Sequence, residues 1–426
     1  MARSPVLLFL LFFLCSFNLA LCQNASVAIA QQDRSDGAAA FAQLQQHFHQ
    51  KTDDEVLAGT VILLAQGQDT WLDVYGKRVV ESGAPMEENT IFRLASMTKP
   101  IVSTAVMMLV EQGRLNLHDP LEQFIPAFGG VQAFTEDGTL EKLRRSITVQ
   151  DLLTHTGGIA NTLFRNTPAE RAYAEAFKNK HPNSLQELVD MLAELPLAHH
   201  PGEGWTYGYS TDILARIVEI TSGETIDAFL KAHIFLPLKM EDTGFQVPEE
   251  RLSRFAAAYG KGLKRVDGPD GNSPYTNSRN FPRGAGGLVS TAQDYLRFCQ
   301  MLLNGGTLDG VRLLRAETVG QMMQNQLPEG ILPHTPGMPA ICNGFGLAFG
   351  IQTDEPFFGK PGDCAWPGAF LTYFFISPSN NGIGILMTQC TDFSNLSMLG
   401  EFHEMAARVF ASTASEASGA GGAVPE

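Results

Sequence analysis

Apolar residues run almost unbroken from Ile101 to Val110, after a short semi-apolar approach from Thr90 to Ala95. A stretch apolar on nearly every helical face predicts a helix buried in the centre of a domain. Pro100 is compatible with it if the helix begins near Ala95 or Ser96, because the first four helical N–H groups have no intrahelical acceptor. Gly113 closes the run. Val56–Leu64 and Thr70–Val74 alternate apolar and polar residues around Gly67 and predict an antiparallel hairpin. Gly346–Gln352, Ala369–Ile376 and Ile383–Gln389 are rich in aromatic and β-branched residues, with Pro, Asn and Gly clusters between them, and predict further strands. The last helix is expected at Phe393–Phe410. Segments 149–154, 168–178, 184–193, 211–221 and 225–233 carry helical periodicity and almost no strand signal. Strands at both ends and helices between them predict an α/β domain, 37–135 joined to 285–411, interrupted by a mainly helical domain at 136–284. Pockets form preferentially at such boundaries.

The two ends read differently. Residues 1–22 have a cationic start at Arg3, an apolar stretch from Val6 to Cys15 and small or neutral residues beyond it. This is the pattern of a secretory signal peptide, too short in its apolar part for a membrane span, with cleavage after Cys22 or Ala30. A secreted or periplasmic protein is expected. Leu21, where a small residue would be needed, argues against lipid attachment at Cys22. Residues 23–36 read as a flexible leader and 412–426 as a Ser/Ala/Gly tail unable to form a core. Export makes Cys299, Cys342, Cys364 and Cys390 disulfide-permissive. Cys364 has Cys342 or Cys390 as possible partners, and free buried thiols fit equally well. Asn24 and Asn395 head glycosylation sequons, which count only in a eukaryote.

Composition removes other classes. With 426 residues, 44% of them hydrophobic and 18% charged, the chain can bury a large core. Its formal net charge of −15 excludes an electrostatic nucleic-acid role and strong attraction to anionic membranes. No cysteine spacing matches a zinc motif, and no metal or cofactor is implied.

The candidate chemistry starts at Ser96-Met97-Thr98-Lys99, where three residues of helix bring a hydroxyl and an amine to one face. The same spacing also suits a helix cap followed by a solvated lysine. Ser96 would stand at a helix N-terminus, whose dipole favours developing negative charge. A base is offered by Pro201-Gly202-Glu203-Gly204-Trp205-Thr206-Tyr207, since a tyrosine hydroxyl shuttles a proton when a cation such as Lys99 stands beside it. Packing of the loop is the alternative use of that ring. The third element is Ala365-Trp366-Pro367-Gly368-Ala369. Gly368 permits close backbone approach, Pro367 has no N–H, and the Ala369 N–H is the candidate oxyanion donor beside that of Ser96.

Together these motifs resemble the serine β-lactamase-like hydrolases of the class C and penicillin-binding group, and most of all the family VIII carboxylesterases. Leu152-Leu153-Thr154-His155-Thr156-Gly157-Gly158 is similar to that family's loop after the first turn of the insertion, and Gly284–Thr291 to its return to the α/β domain. The resemblance covers about residues 40–410 and implies an antiparallel sheet flanked by helices with a helical domain inserted. It implies Ser96 as nucleophile, with Lys99 and Tyr207 as the proton-transfer pair. Trp366, Gly368, Tyr209 and Phe370 are expected to bind the substrate, the aromatic side chains lining an apolar acyl pocket. Two departures narrow the chemistry. Trp366-Pro367-Gly368 stands where lactamases and transpeptidases carry Lys-Thr-Gly, and Gly208-Tyr209 follows the tyrosine without the usual asparagine. Lost charge-assisted contacts favour neutral acyl groups, so a small-molecule ester is the expected substrate. A β-lactamase, a D-alanyl peptidase and an acyltransferase are the alternatives that use the same residues.

Overall fold

The computed structural model describes residues 36–163, 165–270, 273–277, 280–335 and 339–413. The expected signal peptide, most of the expected leader and most of the expected tail lie outside the described residues. Helix α1 (36–53) comes first, with Phe41, Leu44 and Phe48 buried along one face. β1 (Gly59–Gln66) and β2 (Asp69–Val79) form a hairpin that turns at Gly67, where φ is 58°. β3 (Ala84–Pro85) continues the sheet, and β4 (Phe92–Arg93) leads to α2 (Thr98–Glu111). Five helices follow: α3 (Val149–Leu153), α4 (Pro168–Asn179), α5 (Leu185–Leu192), α6 (Ser210–Ser222) and α7 (Ile226–Leu230). β5 (Val289–Ser290) pairs back with β4 and precedes α8 (Ala292–Leu303). α9 (Ala316–Met322) follows. The chain then lays down β6 (Gly344–Phe345), β7 (Gly350–Ile351), β8 (Cys364–Pro367), β9 (Tyr373–Ser377) and β10 (Gly382–Met387) before α10 (Met398–Thr413).

Eight of these strands form one antiparallel sheet in the order β6-β7-β8-β9-β10-β1-β2-β3. Its centre joins the two ends of the chain, with Ile62 of β1 opposite Leu386 of β10. Val61, Leu63 and Ala65 point into the core shared with α2 and α8, while Ile62 and Leu64 meet Phe41, Phe48, Phe402 and Phe410 from α1 and α10. β1 therefore has no polar face, and the alternation expected for it gives way to a continuous apolar run.

Several expected boundaries move. Gly346–Gln352 is not one strand: the backbone turns between β6 and β7, Gly346 N–H donating to Phe349 O at 2.9 Å. The strand expected at Ala369–Ile376 is split, because Leu371 takes φ 55° and residues 368–372 form the turn from β8 to β9. Phe393–Asn395 is a separate 3₁₀ turn, and the last helix starts at Met398. Cys299, Cys342, Cys364 and Cys390 are all buried free thiols, so they act as small apolar core groups and none is in a disulfide. No helix among the described residues is long and apolar enough to cross a membrane.

Candidate active site

Ser96 lies in a 3₁₀ turn, Ala95–Met97, that feeds directly into α2. The turn is entered through Ala95 at φ 46°, a left-handed conformation that costs a non-glycine residue free energy. Its neighbours hold it there. Leu94 N–H donates to Leu288 O at 2.9 Å, Thr372 Oγ1 donates to Leu94 O at 3.3 Å and Tyr295 OH donates to Met97 O at 2.9 Å. One helical turn on, Lys99 is 4% exposed, and its Nζ donates to Ser96 Oγ at 3.2 Å and to Ala285 O at 2.7 Å. Ala285 is fixed in turn by Asp212 of α6, wholly buried, whose carboxylate accepts from Ala285 N–H and from Arg283, both at 3.1 Å.

Tyr207 completes the cluster. Its hydroxyl donates to Ser96 Oγ at 2.6 Å, and Lys99 Nζ lies 4.6 Å from its ring centroid. Three contacts pin its loop: Thr206 N–H donates to His155 O at 2.9 Å, Asn161 Nδ2 to Tyr207 O at 2.5 Å and Tyr209 N–H to Ala160 O at 3.2 Å. The His155 ring is buried against Tyr207 at 5.1 Å, with Phe345 at 5.5 Å and Trp205 at 5.9 Å. Burial first, and the Lys99 charge second, hold this imidazole well below the usual histidine range, so it is neutral. Trp366 Nε1 donates to Tyr207 OH at 3.4 Å from the other side.

The β8–β9 turn approaches from across Ser96. A Cβ on Gly368 would stand 2.3 Å from Leu94 O and 2.1 Å from Thr372 Oγ1, so only glycine lets this turn close on the segment before the nucleophile. Gly368 spends its own N–H on Thr372 O at 2.8 Å. Ala369 N–H, next along, has no acceptor among the described residues and lies in the wall of the cavity that Ser96 lines. Ala369, expected at the entry of a strand, belongs instead to the turn between β8 and β9.

The cavity has two lobes that share Ser96, Leu163, Tyr207 and Ala369. One is apolar, with Trp205, Ile341, Trp366, Pro367 and Leu396 in its wall. The other is more polar, with Lys99, Asn161, Tyr209, Arg283 and Phe370. The residues expected to line an apolar acyl pocket are therefore divided: Trp366 and Gly368 line one lobe, Tyr209 and Phe370 the other. Tyr209 is also mostly packed away, stacked on Phe177 at 5.3 Å with its hydroxyl 2.8 Å from Thr162 Oγ1, and burial raises its pKa. Asn161 and the carbonyl of Ala285 had no role in the sequence reading. The Leu152–Gly158 motif shortly before Asn161 and the Gly284–Thr291 motif that contains Ala285 were the available signal.

A hydroxyl held between an amine and a phenol at the mouth of a helix, with a free backbone N–H opposite, is an arrangement suited to acyl transfer. A family model described as Beta-lactamase matches residues 44–399. Protein Rv1367c of Mycobacterium tuberculosis strain H37Rv is 35% identical over 80% of this chain and 88% of its own length. Esterase EstB of Burkholderia gladioli is 31% identical over 85% of this chain and 93% of its own. Among solved structures, EstCE1, described as a hydrolase with promiscuous acyltransferase activity, superposes with a TM-score of 0.71 at 22% identity, covering 88% of this chain and 98% of the other. The chain belongs to the beta-lactamase family and is a serine hydrolase of that fold.

Proposed function

We propose that the protein is a carboxylesterase that works through an acyl-enzyme on Ser96. The observation that carries this reading is the placement of Ser96 Oγ within hydrogen-bond reach of both Lys99 Nζ, at 3.2 Å, and Tyr207 OH, at 2.6 Å. Ser96 Oγ attacks the ester carbonyl while its proton passes to the Lys99/Tyr207 pair. The N–H groups of Ser96 and Ala369 receive the oxyanion, a contribution of about 3 kcal/mol per donor. Tyr207 then protonates the departing alcohol, and a water activated by the same pair hydrolyses the acyl-enzyme. The absence of a cation at Trp366-Pro367-Gly368 supports neutral esters over charged amides, as does the likeness to an esterase. Ser96→Ala is expected to lower turnover of p-nitrophenyl butyrate by at least about 10⁴-fold. Retained turnover, or faster opening of nitrocefin than of the ester by the unaltered chain, overturns the assignment.

A second reading, acyl transfer to an alcohol, is favoured by the apolar lobe beside Tyr207, which offers room for an acceptor other than water. Adding butanol to the ester assay and measuring butyl ester against free acid separates the two. Export is likewise proposed from the leader alone; the N-terminus of protein recovered from the medium or periplasm tests it.

A further inference from the structure

Ten large apolar side chains stand exposed among the described residues, and singly such residues need no explanation. Three of them gather at one place. Leu163 at 67%, Leu332 at 65% and Phe393 at 46% exposure come from segments far apart in sequence, and all sit at the apolar lobe: Leu163 and Phe393 line it, and Leu332 precedes the lining residue Pro333. An apolar patch on the rim of a cavity marks an interaction site. Among the described residues, none that lines this lobe is charged, in a chain whose formal net charge is −15. That combination suits an uncharged surface and repels an anionic one. The occupant is further narrowed by Ser96, which lines the same lobe.

We propose that this rim seats the enzyme on the surface of an aggregated neutral lipid ester, such as a glyceride droplet, and that the apolar lobe carries one ester group from that surface to Ser96. The proposal rests on the esterase reading for what happens after docking, but docking itself needs no turnover. Each apolar side chain that leaves water for the droplet contributes in proportion to the area it buries, and the three act together.

The test is flotation of full-length Ser96→Ala protein with triolein droplets coated in phosphatidylcholine. The protein is expected to rise with the droplets. Leu163→Ser, Leu332→Ser and Phe393→Ser combined in the same background should weaken partition by about tenfold or more, and phosphatidylglycerol-coated droplets should retain less protein than phosphatidylcholine-coated ones. Leu332→Glu alone, at a side chain outside the lobe lining, should shift partition in the same direction, and matching thermal melts confirm that each variant is folded. Equal flotation of parent and variants, no flotation of the parent, or a preference for the anionic droplets overturns the proposal. So does light scattering that gives the parent twice the molar mass of the triple variant, since the rim would then join two copies of the chain. Failure of the esterase reading shows elsewhere, as an unaltered chain that does not hydrolyse p-nitrophenyl acetate in solution.

Discussion

Tyr207 reaches Ser96 because the residue after it has no side chain. A Cβ on Gly208 would stand 2.1 Å from Ile159 O and 2.3 Å from Ala160 O, both backbone atoms that cannot swing aside. Gly208→Ala must therefore push the tyrosine loop outward, and a displacement near 1 Å costs on the order of 10²-fold in rate. The expected outcome is a fall of that size in kcat for p-nitrophenyl butyrate with the protein still folded by circular dichroism. Gly368→Ala meets Leu94 O in the same way on the oxyanion side, and its effect should again fall on kcat more than on KM, because the N–H it displaces acts mainly in the transition state. Ser96, Lys99 and Tyr207 could be singled out in the sequence because their motifs together resemble those of a known family, and the structure brings Lys99 Nζ and Tyr207 OH to Ser96 Oγ. His155 and the Ala285 carbonyl could not, since one works as a neutral packed ring and the other through a backbone atom that every residue has. Gly208 and Gly368 stood in the motifs, but which backbone atoms they admit is a property of the fold.

At the level of elements, the helices 168–178, 184–193 and 211–221 were readable because an amphipathic period repeats over about three turns in each. Helix 36–53 carried the same signal at Phe41, Leu44 and Phe48, diluted by the Gln and His residues between them. The β8–β9 turn was hidden for a different reason. Ala369–Ile376 is apolar or aromatic at every position but Thr372, and nothing in composition announces that Leu371 takes a positive φ there. Junctions between elements carry the site, and Asp212 is the strongest of them. It lies at the start of α6, wholly buried, and ties Arg283 and Ala285 N–H to that helix. Asp212→Ala would leave Arg283 without its carboxylate and release the segment whose carbonyl holds Lys99. A loss of about 2–4 kcal/mol in urea unfolding is expected, with activity falling further than the unfolded fraction explains. Asp212→Asn, which keeps an acceptor for Ala285 N–H, should recover part of the activity but less of the stability.

Across the whole molecule, the site lies on a seam between the helices inserted in the chain and the edge of the sheet, and His155 sits in that seam. Its ring packs on Tyr207 from one side and on Phe345 of β6 from the other, and it stays neutral well below the usual histidine range. The unfolded chain takes up a proton at this residue near pH 6.5, the ordinary value of a histidine, whereas the native chain does not until the pH is far lower. Between those two points the unfolded state binds more protons, so stability is full above about pH 6.5 and falls as the pH drops, by up to about 1.4 kcal/mol per pH unit. Asp294, at the start of α8, works in the opposite direction. Burial raises its pKa from 3.8 to about 6, so its contribution is complete below pH 3.8 and is lost as the pH rises through 6. The two opposing slopes overlap below about pH 6, and the unaltered chain therefore shows only their sum, together with that of its surface carboxylates. Single variants separate them in urea unfolding across that range. His155→Gln should make stability depend less steeply on rising pH, and Asp294→Asn should make it depend more steeply. If both variants moved the slope in the same direction, one of the two groups would not hold the protonation state that its burial imposes.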